Sequence, residues 1–233
     1  MSEINNPAHD PNAHAPMAPP VSEELVAHGA TAGSGDIVAD PARPTGVSAF
    51  AGANLSNANL REATLAGASL ANANLANANL VEANLTGANL RGANLVDADL
   101  TTAVLAGADL TGANLAGTVL DGADMTRAVL REANLTGSNM TSSILVEADL
   151  SGAILAGVNL VEANMKGANL TGANLMWGAD LTDADLTRAT LTRADLAGAN
   201  LRRTNMTDAD LSDGQSPPPK GISSKSRSWR KRS

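Results

Sequence analysis

Ala73-Asn74-Leu75-Ala76-Asn77-Ala78-Asn79-Leu80-Val81-Glu82-Ala83-Asn84-Leu85-Thr86-Gly87-Ala88-Asn89-Leu90 is the stretch that decides the fold. A large apolar residue recurs every five positions, with Ala two places before it. Followed outward in both directions, the pattern runs from Ser48 to Leu211 and comprises 33 units. The large residue is Leu except at Phe50, Met125, Met140, Met165 and Met206. The small one is Ala except at Ser48, Thr118, Ser138, Ser143, Val158 and Thr204.

A period of five fits neither common element. Along an α-helix, five residues rotate by about 140°, so the leucines would spiral around the axis without forming a stripe. Along a continuous strand, an odd spacing sends successive leucines to opposite faces. Either way half of them would meet water. The chain must therefore turn once per unit. Ala and Leu, two apart, share the inner side of a short extended piece, and the residue between them and the two after Leu point outward. The outward positions suit that role: the middle one is mostly Asn or Asp, and the second residue after Leu is often Gly, Asn, Glu or Asp, of which Gly, Asn and Asp accept turn conformations readily.

This pattern resembles the pentapeptide-repeat family, whose motif is A(D/N)LXX, over about 165 of the 233 residues. The resemblance implies an all-β fold: a right-handed quadrilateral β-helix with four units per coil. Thirty-three units make about eight coils, and a spacing of about 4.8 Å gives a rod about 40 Å long. Residues twenty apart then stack, so Asn54, Asn74, Asn94, Asn114 and Asn134 are expected to form an outward ladder of amides, interrupted by Ile154 before Asn174.

Three segments follow. Residues 1–47 are expected to be a disordered Pro/Ala-rich acidic leader, with six acids and one base. They hold all three histidines, His9, His14 and His28, read as solvated because a ligand site needs fixed geometry. Residues 48–214 are the array, with eighteen acids and nine bases. Residues 215–233 are expected to be a Pro-rich basic disordered tail in which Lys225, Arg227, Arg230, Lys231 and Arg232 surround Trp229. This tail reads as solvated, as an anchor for nucleic acid or an anionic membrane, or as a segment folded back on the acidic rod. No apolar run approaches the roughly 18–20 residues of a membrane span, and no basic-then-apolar signal pattern occurs, so the expectation is a cytoplasmic protein.

The count slips once. Leu175 and Leu181 are six apart, across Met176-Trp177-Gly178. An inserted residue must bulge at a corner, and bulges re-aim side chains. Trp177 is the only Trp of the array. Two readings stand: a tolerated insertion with the indole lying along the rod, or a contact with a partner or a second subunit, as in a homodimer.

Catalysis is not expected. The array holds no His, Cys or Tyr, and an interior filled by Leu and Ala leaves no pocket for a small-molecule substrate. The neighbouring acids Asp97 and Asp99, Asp183 and Asp185, and Asp208 and Asp210 lie on an open face, where burial cannot raise them for acid catalysis. No catalytic residue, cofactor or metal site is expected. The leading expectation is a non-enzymatic scaffold or protein-interaction rod of unnamed partner. The resemblance also implies an alternative, an acidic DNA mimic that regulates or protects DNA gyrase. Duplex DNA would carry about 23 charges over such a length, against a net −9 for the array. An exported effector addressed by its termini is a third reading.

Overall fold

In the computed structural model, residues 50–213 are described, and they form one repeated coil. Each coil contributes a single bridged residue to each of its faces, and every bridge is parallel: Asn54 pairs with Asn74, Asn74 with Asn94, Asn94 with Asn114. Four such columns run the length of the rod, starting at Asn54, Asn59, Thr64 and Ser69, and they are called here the first to fourth faces. Each face is followed by a corner of the same number.

The fate of the five backbone N–H groups of a unit explains both the coil and its sequence, since buried backbone donors must be paired. The Leu95 N–H donates to the Asn114 carbonyl of the next coil at 2.7 Å. The Asp97 N–H, at the second corner position, donates to Ala116 O at 3.1 Å. The Ala98 N–H closes the corner on Leu95 O at 3.0 Å, and the Asp99 N–H reaches back to Ala78 O at 2.9 Å. That leaves the first corner residue, whose N–H has no backbone acceptor in this scheme. Here the middle Asn or Asp acts: the Val96 N–H donates to Asn94 Oδ1 at 3.4 Å, and the Thr101 N–H to Asp99 Oδ1 at 3.0 Å. This is an Asx turn. Where Thr follows the large inner residue, its hydroxyl adds a second bond to the same oxygen, as from Thr101 to Asp99 at 2.6 Å and from Thr126 to Asp124 at 2.6 Å.

The second corner residue has positive φ throughout, as a type II turn requires. Glycine fills it at many corners, but Glu62, Glu82, Arg127, Arg188 and Trp177 also adopt φ of 57–60° there. The bonds on either side hold the backbone in place, which offsets the usual cost of that conformation.

Inside, Leu and Ala are fully excluded from water over most of the rod, with Ala73 to Leu110 at 0–1% exposure. Phe50 packs against the first coil, partly buried. The exceptions to the Ala rule cluster. Thr118, Ser138 and Val158 stack on the second face in successive coils, and Met125, Met140 and Met165 occur in the same or the next unit. An unbranched, adaptable Met replaces Leu where Ala has been enlarged, which keeps the core volume nearly constant. Thr118 Oγ1 donates to Leu95 O at 3.0 Å and Ser138 Oγ to Leu135 O at 2.9 Å, whereas the buried Ser143 Oγ has no partner.

Candidate interaction surface

With the interior closed, whatever the described array recognises must meet its outer faces and corners. The amide ladder on the first face is present: Asn74 Nδ2 donates to Asn54 Oδ1 at 3.2 Å, Asn94 to Asn74 at 2.9 Å and Asn134 to Asn114 at 3.0 Å. The same oxygens accept the corner N–H groups, for example Ala76 N to Asn74 Oδ1 at 3.3 Å. These side chains are therefore already committed to holding the coil.

The insertion is resolved residue by residue. Trp177 occupies the ordinary second corner position, with φ of 59° and its N–H on Ala197 O at 3.3 Å. Gly178, with φ of 89°, is the added residue. Register returns at once, because the Asp180 N–H meets Val158 O at 2.8 Å. The enlarged turn lies close over the coil before it: the Gly157 N–H donates to Met176 O at 3.2 Å, and Ala156 is buried where other first-corner residues are at least partly exposed. The Trp177 side chain projects outward and is 78% exposed. Val104, Ile144 and Ile154 are the other large apolar residues exposed among the described residues, at 36–42%.

Charge is distributed unevenly. The second, third and fourth faces and corners carry ion pairs that run along the rod between neighbouring coils: Arg61–Glu82 at 2.5 Å, Arg91–Asp109 at 3.1 Å, Arg127–Glu147 at 2.8 Å, Arg131–Asp149 at 2.5 Å, Lys166–Asp185 at 3.3 Å and Arg203–Asp183 at 2.5 Å. The first face and corner hold Asp97 and Asp195 and, among the described residues, no base.

The acids are tuned away from acid chemistry. Partial burial raises Asp109, Asp149, Asp180 and Asp185, but corner hydrogen bonds from Thr111, Ser151, Thr182 and Thr187 outweigh it, helped by Arg91, Arg131, Arg202 and Lys166, and all four carboxyls lie below the ordinary value. Asp183 is lowered chiefly by its hydrogen bond from Arg203. All five are ionised at neutral pH and cannot serve as proton donors. Among the described residues no group of three or more His, Asp or Glu is placed to hold a metal ion. The basic tail (Lys225, Arg227, Trp229, Arg230, Lys231 and Arg232) and the leader with its three histidines lie outside the described residues.

The family model for pentapeptide repeats matches in eight copies, across residues 48–80, 68–107, 108–145, 143–177 and 178–213. The chain belongs to the pentapeptide-repeat family. Among solved structures, full-length QnrB1, a plasmid-mediated fluoroquinolone resistance protein, superimposes with a TM-score of 0.59 at 19% identity, over 71% of this chain and 85% of that one. HetL, a pentapeptide-repeat protein involved in heterocyst differentiation regulation from the cyanobacterium Nostoc sp. strain PCC 7120, is 36% identical over 71% of this chain and 75% of its own, with a TM-score of 0.43. A pentapeptide-repeat protein of the Arabidopsis thaliana thylakoid lumen is 33% identical over 45% of this chain and 69% of its own, with a TM-score of 0.30. No curated protein sequence matches the chain. The family and its structural neighbours imply a right-handed hand for the β-helix, in keeping with the parallel bridges and the absence of helix among the described residues.

Proposed function

We propose that this pentapeptide-repeat protein is a non-enzymatic interaction rod, and that Met176-Trp177-Gly178 is its principal contact with a protein partner. The observation that carries this reading is Trp177: an indole 78% exposed, on the corner least burdened with charge. Folding does not call for a tryptophan there, since Asn57, Gly117 and Gly157 occupy the same position in other coils. A large amphipathic ring on a rigid scaffold is the kind of side chain that dominates binding energy at protein interfaces. The closed Leu and Ala interior supports a surface role over a pocket.

A photo-crosslinking amino acid at position 177, compared with one at Gly172 on the fourth corner, tests the reading in extracts of the native host. A discrete adduct at 177 and none at 172 is expected. Equal, diffuse labelling at both would contradict it.

The net −9 of the array and the fold shared with QnrB1 favour a second reading, an acidic mimic of DNA that acts on gyrase. The coil-to-coil ion pairs count against it, because each interrupts a row of acids with a base. A gyrase supercoiling assay with excess protein separates the two, and inhibition or protection would favour the mimic.

A further inference from the structure

Two copies of a rod with a net charge of −9 repel when their charged sides meet, and like charges placed face to face across an interface cost several kcal/mol. The first face and corner are where two copies can approach without that cost, since their two acids are far apart along the rod: Asp97 lies in the third coil and Asp195 in the eighth. The same face and corner carry the two most exposed large apolar side chains among the described residues, Trp177 on the corner at 78% and Ile154 on the face at 42%. Beside them the surface is low. Gly137 and Gly157 occupy the second corner position in the fifth and sixth coils, and a methyl group added at Gly137 would meet nothing within 4 Å.

Those features are self-complementary. A two-fold axis in the interface plane, perpendicular to the rods at the height of Gly157, reverses the second rod and keeps first face against first face. Trp177 and Gly137 lie one coil on either side of Gly157, so each Trp177 falls on the partner copy's Gly137, and the two Ile154 side chains meet beside the axis. Asp195 then faces Asn114, so no acid opposes another. Such an arrangement is isologous, each residue pair occurring twice. We infer that the chain pairs with a second copy of itself, antiparallel, along this corner, each Trp177 covering the other's Gly137.

This inference rests on the reading of the Trp177 corner as a contact surface and names its occupant. It leaves the ion-paired faces outward on both sides of a double rod, free to meet a further partner.

Light scattering on a size-exclusion column tests it with the full chain at micromolar concentration. Wild type is expected to elute as a dimer, and Trp177→Ala and Gly137→Arg as monomers. Arginine at this backbone position is native at Arg127, Arg188 and Arg193, so Gly137→Arg should fold, with an unchanged circular dichroism spectrum. Gly107→Arg, on the third corner across the rod and with open space around it, is expected to stay dimeric. The chain has no cysteine, so Gly157→Cys, beside the axis, should form an intermolecular disulfide on oxidation while Gly172→Cys does not. A monomeric wild type, or dimers that survive both Trp177→Ala and Gly137→Arg, would overturn the pairing. A monomeric wild type that still gives a position-177 adduct with a host protein would overturn the pairing and leave the contact surface standing. A monomer with no such adduct would overturn both.

Discussion

Leu100 and Trp177 are both large apolar side chains of one repeat array, yet the first is wholly buried and the second is 78% exposed. Leu100 sits where every unit has a large residue, and the coil geometry leaves no other option for it. Trp177 sits where units elsewhere carry Gly, Asn, Glu or Arg, so the coil has no use for an indole there. The contrast separates two kinds of constraint. Inner positions answer to packing, whereas an outer apolar side chain such as Trp177 has no packing role in the coil.

If that separation holds, inner substitutions should act on stability and outer ones hardly at all. The largest effect is expected from Leu100→Ala, which leaves a cavity in a core with no slack and should cost about 2–5 kcal/mol in urea denaturation. Val104→Ala, exposed on the third face, should stay within about 0.5 kcal/mol. Ala98→Val probes the narrowness of the uniform coils: with Leu100 and Leu105 retained rather than replaced by Met, the added carbons should cost about 1–3 kcal/mol. Native Val158, followed by Met165, shows the accommodation that Ala98 lacks.

Acid should sharpen the same contrast from the outside. Asp109, Asp149, Asp180, Asp183 and Asp185 are held below the ordinary carboxyl range in the folded chain. A lowered carboxyl contributes stability that is fully present above its unfolded value and lost as the pH falls through the folded one. The melting temperature should therefore be flat from pH 7 to about 5 and fall below about 4. A melt that is insensitive down to pH 2 would break the account of the corner bonds. Smaller again, Ser143→Ala removes a buried hydroxyl without a partner and should raise stability by about 1 kcal/mol. Arg203→Ala, which loses an exposed ion pair with Asp183, should leave the urea midpoint almost unmoved, and the remaining difference should vanish in high salt.

Most of this fold could be read from the chain. The five-residue period separated inside from outside, located the irregular corner, and through the twenty-residue stacking placed the ladder from Asn54 to Asn134. The middle Asn and Asp were only half legible. Their stacking between coils is visible in the period, but their bond to the N–H two residues on follows from a count of backbone donors that only the coil geometry makes possible. The positive φ at Glu62, Glu82 and Arg127 was not legible either, because local preference argues against it and the bonds between coils override that preference. The sparse charge of the first face and corner was hidden for a similar reason: along the chain Asp97 and Asp195 sit among other charges, and sorting by corner needs the register that the insertion at Gly178 shifts by one. Ion pairs such as Arg131–Asp149, eighteen apart, become visible once that register is known.

The surface claim can be read directly in the light that Trp177 emits. Trp229 is the only other tryptophan, so Trp229→Phe leaves Trp177 as the single reporter. At tens of micromolar, its emission should be blue-shifted and shielded from acrylamide, as for a covered ring. Dilution to nanomolar should return it to the spectrum and quenching of a free indole. Emission of a fully solvated ring at every concentration, together with no position-177 adduct in host extract, would contradict a contact surface at this corner.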